Sequence, residues 1–361
     1  DPVAGDYKAK DGWIRLHTNA PHHRLAAERI LGPHADKTGM AQAVSQWRKE
    51  ELEAAIVEAG GCAAQMLSTE AWARHPQGRA VADEPLVHLA RRVQAQAPVP
   101  PVDLARPLAG IKVLDLTRVL AGPIATRCLA AYGAEVLRID SPDWNEPGIV
   151  PEVTLGKRLV RLNLRDQAAL ATVKSLLASA DVIVHGYRAD ALEHLGLGTA
   201  VRQQINPRLI DVSLNAYGWT GPWCNRRGFD SLVQMSSGIA DSGMQHALAD
   251  KPVPLPVQAL DHATGYLMAA AVITGITERL QAGTVLQARL SLARTAKLLQ
   301  DYHALANGPV FAAESDADKG MPLEHTSWGD AQRILWPIHI NGCHAQWALP
   351  AHELGSDAAH W

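Results

Sequence analysis

The sequence predicts an α/β fold: a large domain on a doubly wound, largely parallel sheet, with a smaller, mostly helical domain placed N-terminally. Three observations predict it. From residue 108 onward, short apolar runs alternate with helical patterns, the signature of βαβ units. Before residue 94 the pattern is mainly helical, with glycines as stops. Between them lies residues 94–107, QAQAPVPPVDLARP, whose four prolines read as a semi-rigid, extended linker. The expected organisation is therefore a small α domain (1–93), the linker (94–107), a large α/β domain (108–317) and a returning C-terminal segment (318–361).

In the small domain, residues 21–31 read as one helix closed by Gly32, and residues 41–59 as a second, stopped by Gly60 and Gly61. A short Trp-containing helix follows near residues 70–74. In the large domain, IKVLDL (111–116) is a buried strand. Residues 123–132 form a helix with Pro123 in its first turn and Gly133 past its end. The strands EVLRID (135–140) and RLVRLNL (158–164) come next. A helix from Asp166, the strand DVIVHG, short helices over 189–205 and the strand RLIDVSL (208–214) complete the alternation. A long helix runs from about residue 261 to residue 280. The last sixty or so residues have no clear periodicity.

Composition narrows the function. The chain has 361 residues, 47% apolar and 20% charged, with a formal net charge of −3. This is the make-up of a globular protein with a sizeable core, and it argues against disorder, a coiled coil or nucleic-acid binding by bulk positive charge. The longest apolar run, residues 267–276, falls short of the ~20 residues of a membrane span. The N-terminal DPVAGDYKAKDG has no apolar export core, so a cytoplasmic setting is expected. Cys62, Cys128, Cys224 and Cys343 lie far apart, without the spacing of a disulfide framework or a zinc site, and no metal is expected. His17, His22, His23 and His34 lack carboxylate partners and i,i+4 spacing, and read as a loop-and-helix surface.

A doubly wound, Rossmann-like sheet invites a dinucleotide reading, which the motifs do not support. The turn after the first strand is Thr117-Arg-Val-Leu-Ala-Gly-Pro, not GxGxxG. Gly122 followed by Pro123 cannot supply the row of backbone N–H groups that cradles a pyrophosphate. No GxxxxGK[ST], GxSxG or HExxH is present.

The run PLAGIKVLDLTRVLAGP (107–123) with LAAYGAEVLRID resembles the opening of the family III acyl-CoA transferases, the CaiB/BaiF group. Further stretches follow in the same order: GKRLVRLNLR, ADVIVHGYRADALEHLGL, NPRLIDVSLNAYGWTGPW, RGFDSLVQMSSG and QALDHATGYLMAA. Together they cover about residues 107–300. The resemblance implies transfer of coenzyme A from an acyl-CoA to a carboxylic acid acceptor, in a homodimer, with neither nucleic acid nor membrane as partner. It implies Asp261 as the nucleophile, acting through an aspartyl-acyl anhydride and an aspartyl-CoA thioester. It also implies Val119, Leu120 and Ala121 beside the CoA arm, Leu162 and Tyr187 flanking the adenine, and Arg165 and Arg227 as basic CoA contacts.

The residues themselves give Asp261 a second reading, as an N-cap of the long helix; the helix N-terminus would also stabilise developing oxyanions. Lys157, Arg158, Arg161 and Arg165 form a run without an acid, suited to phosphates or to a solvated surface. Several positions depart from the pattern. Leu120 stands where formyl-CoA transferases carry glutamine, no glycine-rich active-site loop is visible, and Arg188-Ala189-Asp190 replaces a Pro-Gly pair. Phe229 stands where the racemase branch has its proton-carrying histidine, which disfavours two-base racemisation. The alternatives are a CoA-thioester racemase or isomerase, and a catalytically degenerate CoA-binding paralogue. Residues 11–79 look like small-domain sequence placed ahead of the large domain, as in a rearranged member or a piece of a longer protein.

Overall fold

In the computed structural model, residues 1–94, 103–188, 190–302, 312–320 and 323–361 are described; most of the proline-rich stretch and Ala189 lie outside them. The alternating half of the chain builds the predicted sheet. Its strands are β4 (His88–Val93), β5 (Lys112–Leu116), β6 (Glu135–Asp140), β7 (Lys157–Arg161), β8 (Val182–His185), β9 (Ile210–Asn215) and β10 (Thr284–Ser291), in the spatial order β4-β10-β9-β8-β5-β6-β7. The strands β9, β8, β5, β6 and β7 pair in parallel. Order reverses around β5, so the ends of β5 and its neighbours open the crevice typical of such sheets.

Helices α6 (Ala121–Ala131), α7 (Val150–Val153), α8 (Gln167–Ser179), α9 (Ala191–His194) and α10 (Thr199–Ile205) connect these strands. The apolar stripe of α8, Val173, Leu176 and Leu177, packs with Leu114, Leu116, Leu137, Ile139 and Val160 of the sheet. Strand β7 would leave an open edge. There Leu159 donates its N–H to Asp357 (2.8 Å) and accepts from the N–H of Asp357 (3.0 Å), so C-terminal residues cover that edge.

The chain separates into two compact units. The sheet unit comprises Val87–Leu214, Asp261–Leu290 and the C-terminal residues. The other comprises Asp1–Leu86, Asn215–Leu260 and the segment from Ser291. This differs from the expected organisation in three places, one being the segment from Ser291, expected in the large domain. His88–Val93, expected in the helical domain, is a strand paired antiparallel with β10. It is exposed along most of its length, so it carries no alternation to read. Residues 215–260, expected in the large domain, cluster with the N-terminal residues because Leu232, Met235 and Ala240 share a core with Cys62, Ala64 and Met66.

The N-terminal unit also begins with strands that helical periodicity does not show. A hairpin, β1 (Gly5–Ala9) and β2 (Gly12–Leu16), is joined by β3 (Ala63–Gln65). The same N-terminal stretch holds α1 (Pro21–Leu31), α2 (Lys37–Val44), α3 (Lys49–Glu58), α4 (Thr69–Arg74) and α5 (Pro76–Asp83). The expected single helix over 41–59 is two, α2 and α3. The Trp47 carbonyl accepts from Lys10 N–H (2.9 Å), and Lys49 N–H donates to Asp11 (2.9 Å), so the hairpin breaks the helix. Helices α11 (Asp230–Ser236) and α12 (Ile239–His246) belong to the same unit. The long helix α13 (Ala259–Ala282) and α14 (Leu292–Asp301) follow. No helix among the described residues is long and apolar enough to cross a membrane.

Candidate active site

Asp261 lies in the first turn of α13, two residues inside the helix, not at its cap. The helix is entered through Val257 and Gln258, both with left-handed backbone (φ 54° and 51°). Asp230 accepts the N–H of Leu260 (2.8 Å), fixing the residue before the aspartate. The Asp261 side chain is buried, at 5% exposure. In that first turn the partial positive charge of the helix end favours a carboxylate and any negative charge it passes on.

One turn along the same face is Gly265. A Cβ there would lie 2.5 Å from the carbonyl oxygen of Ala121, so the absence of a side chain lets α13 abut the start of α6. The next residue, Tyr266, packs with Val119, Leu120, Ile124 and Val153. The turn after β5 and the aspartate helix therefore meet backbone to backbone, within the sheet unit. Four of the sequence-predicted residues, Val119, Leu120, Ala121 and Asp261, are brought into one neighbourhood.

That turn is tightly held. Asp115 accepts from the backbone N–H and hydroxyl of Thr117 and from the hydroxyl of Thr126. Lys157, fully buried, donates to Asp115 (3.1 Å), the Pro123 carbonyl (2.9 Å) and the Thr126 hydroxyl (2.7 Å), using all three of its ammonium protons. Burial pulls the Lys157 pKa down to about 8 against the attraction of Asp115. Val119 is left-handed at φ 63°. For a β-branched residue this costs on the order of 1–2 kcal/mol, so the surroundings must impose it.

Of the other predicted residues, Leu162, Arg165 and Tyr187 follow the carboxyl ends of strands. Leu162 follows β7 and donates its N–H to Asp140 (2.9 Å). Tyr187 follows β8, and both side chains pack against the apolar layer around α8. Burial raises the Tyr187 hydroxyl pKa, so the ring is held as a neutral donor. Arg118 connects it to the β5 turn: its guanidinium lies 5.5 Å from the Tyr187 ring centre and 4.7 Å from that of Trp144. Arg165 is exposed in the turn after β7. Arg161 is committed to the carbonyls of Pro142 and Leu354. Arg227 belongs to the other unit, where it donates to the Gly60 carbonyl (2.6 Å). It is not among the residues gathered in the sheet unit.

Sequence reasoning missed the polar residues that support the turn. Arg118, Glu146 and Arg138 were not singled out, and Lys157, expected in a basic run suited to phosphates or a solvated surface, is instead fully buried against Asp115 of a different strand. For Arg118 the available signal was its place in the strand-end turn, ahead of Val119. The buried trio of His185, Asp211 and Arg202 was missed as well, although His185 ends β8 just before Tyr187. Burial alone would raise the Asp211 pKa, but the hydrogen bond and charge of His185 and the Arg202 guanidinium hold it down to about 2.

The histidines of the N-terminal unit also overturn an expectation. His17 and His23 are not a surface: His23 is 4% exposed, and His17 stacks on Phe229 with ring centres 3.7 Å apart. The apolar face of the helix that begins at Pro21 draws His23 inward with Ala26 and Ala27.

Comparison with known proteins bears on this geometry. The model of the family described as CoA-transferase family III matches residues 108–328. An acyl-CoA transferase of Gibberella moniliformis is 30% identical over 294 residues, 75% of this chain and 51% of that protein. A mouse protein named succinyl-CoA:glutarate CoA-transferase is 34% identical over 197 residues, 50% of this chain and 44% of that one. Among solved structures, Rv3272 of Mycobacterium tuberculosis superposes with a TM-score of 0.52 at 32% identity, over 56% of this chain and 57% of that chain. The chain thus spans about half the length of the curated relatives it matches. The family match takes in the β5 turn, the parallel strands and the start of the Asp261 helix, and on that ground the chain belongs to CoA-transferase family III.

Proposed function

We propose that this chain works as an acyl-CoA:carboxylate CoA-transferase with Asp261 as its nucleophile. The observation that carries the reading is the meeting of the β5 turn with the first turns of α13, permitted by Gly265. It sets a buried helix-N-terminal carboxylate on the helix face that adjoins Val119–Ala121.

In this reading a carboxylate oxygen of Asp261 attacks the thioester carbonyl of the donor, and the tetrahedral adduct expels CoA as thiolate, leaving a mixed anhydride. The thiolate then attacks the aspartyl carbonyl of the anhydride, giving aspartyl-CoA thioester and freeing the donor acid. The acceptor carboxylate attacks this thioester, forming a second anhydride and expelling the thiolate. Attack of the thiolate on the acceptor carbonyl yields the new acyl-CoA and regenerates the aspartate. Covalent catalysis of this kind divides one difficult exchange into easier steps. The helix N-terminus favours the oxyanions that appear at each attack. Arg118 between Trp144 and Tyr187, and Arg165 in the β7 turn, supply cations for the phosphates of CoA. A homodimer, as the family resemblance implies, is part of the same proposal.

Leu120 is apolar and packs with Ile124 and Val153, so the turn offers a hydrophobic wall beside the acyl group. Relatives named for succinyl-CoA and glutarate make these the first donor and acceptor to test. Intact-mass analysis after incubation with succinyl-CoA, with hydride trapping, is expected to show a modification mapping to Asp261 and missing in Asp261→Ala. Binding of CoA without modification or turnover would favour the degenerate paralogue. Exchange of the α-proton with deuterated water would favour the isomerase.

A further inference from the structure

The turn that meets Asp261's helix contains a valine in a backbone state that valine avoids. Nothing local provides for it: no side chain within the turn stabilises φ 63° at Val119, and its neighbours are Arg118 and Leu120. The partner comes from a remote loop. Glu146 Oε1 accepts the N–H of Val119 at 2.9 Å. Glu146 is itself held at both ends. Its backbone carbonyl accepts from Ile149 and Val150 (3.0 Å each) at the start of α7. Its Oε2 accepts from Arg138 at 3.3 Å. Arg138, fully buried on β6, is bound in turn to both oxygens of Asp140 (2.8 and 2.9 Å).

We infer that Glu146 is a positioning residue: its carboxylate imposes the left-handed backbone at Val119 and so holds Leu120 and Ala121 against the Asp261 helix. The sheet supplies the rigidity, since Asp140 fixes Arg138, Arg138 fixes Glu146, and Glu146 fixes the turn. A charge-assisted bond from carboxylate to backbone N–H is among the stronger hydrogen bonds available for this. The left-handed residue redirects the chain immediately before α6, so that the Ala121 carbonyl faces Gly265. A glycine in place of Val119 would take that backbone state unaided; valine takes it through Glu146. The effect on transfer rests on the function proposed above, whereas the effect on the turn does not.

The test is a double-mutant cycle in the full chain: wild type, Glu146→Ala, Val119→Gly and the pair. Amide hydrogen exchange over residues 117–123 reads the turn directly. In Glu146→Ala this segment is expected to exchange ~10–100-fold faster, the loss of one hydrogen bond to a charged group, with α8 unchanged. Turnover with succinyl-CoA and glutarate reads the consequence. Removing Glu146 is expected to cost at least ~5-fold more in the otherwise wild-type chain than in the Val119→Gly background, since glycine removes the backbone penalty. Equal costs in the two backgrounds, unchanged exchange at 117–123, or equally faster exchange in α8 would each overturn the inference. Should the alanine variant not fold, Glu146→Met, of similar length but without a carboxylate acceptor, takes its place under the same criterion. If the wild type transfers no CoA, the proposed function fails by itself, and the exchange measurement still decides the role of Glu146.

Discussion

Two polar clusters, one in each unit, are buried in opposite ways. Beneath the β5 turn, Asp115, Lys157, Arg138, Asp140 and Glu146 form a chain of charges in which each cation faces at least one carboxylate. In the N-terminal unit, half-buried His17 and buried His23 lie against Phe229 and one another, their Nδ1 atoms with no hydrogen-bond partner among the described residues. Burial, aided by the Arg15 charge, pushes the His17 pKa down to about 4. Burial, with the charges of His22, His17 and Arg227, pushes His23 down to about 3. The lesson is that pairing decides the ionisation state. Desolvation disfavours the charged form in both places, but of these two clusters the one beneath the β5 turn has the partners that keep it. The charged network holds a backbone turn in shape, whereas the neutral cluster behaves as packing.

The largest expected effect breaks the charged network. Asp115→Ala leaves the Lys157 ammonium buried with two neutral acceptors and removes the carboxylate that holds Thr117. It is expected to cost ~3–5 kcal/mol in urea denaturation, as for other buried pairs stripped of one partner. Replacing Asp115 and Lys157 together by apolar residues of similar volume is expected to recover most of that loss. A cost near zero for the single change would mean the network contributes no ordering at the turn.

Next is Gly265→Ala, which asks whether the turn and the helix must touch. At an unconstrained helical position this change would stabilise by up to ~1 kcal/mol. Here the added Cβ meets the Ala121 carbonyl, so a destabilisation of ~1–3 kcal/mol is expected, read by denaturation. Turnover is expected to fall ~100-fold, because a displacement of about 1 Å at reacting groups has consequences of that size. A stabilised, fully active variant would separate the turn from the chemistry.

The smallest effects are titrations, and the two units show theirs at opposite ends of the pH range. His17 and His23 have folded pKa values below the ~6.5 of an unfolded histidine, so the unfolded chain binds protons first on acidification. Their contribution is fully present above pH ~6.5 and is lost as pH falls toward about 4 and about 3. Lys157 likewise has a folded pKa, about 8, below the unfolded value. Its burial penalty is therefore relieved as pH rises from about 8 toward ~10.4. Urea midpoints measured across pH are expected to show both limbs. His17→Phe should flatten the acid limb and leave the alkaline one unchanged.

The same contrast explains what could be read in the sequence. Strands β5, β6, β8 and β9 each carry three apolar residues and are buried along nearly their whole length, so the parallel sheet and its helices were legible from the alternation of short apolar runs with helical patterns. Strand β4 was not, since it lies exposed at the edge of the sheet. The break between α2 and α3 depends on Lys10 and Asp11, which no local window contains. Asp261 was legible as a helix-start carboxylate, and its chemistry only through resemblance to a family. Glu146 was not legible, because its importance arises from the backbone angle of Val119, which leaves no mark in residue type. The histidines looked like a surface because three of them lie within seven residues, and burial of only one helix face was needed to hide His23.

The central claim is that oxygen passes through Asp261. The most direct measurement supplies an acceptor acid labelled with heavy oxygen in its carboxylate, runs a single turnover with stoichiometric succinyl-CoA, and weighs the peptide that contains Asp261. In the proposed sequence, collapse of the second anhydride leaves one acceptor oxygen on the aspartate. The peptide is therefore expected to gain a single heavy oxygen, and further turnovers with unlabelled acceptor to carry it away in the released donor acid. Formation of the labelled acceptor's CoA thioester with no heavy oxygen in Asp261 would contradict the account.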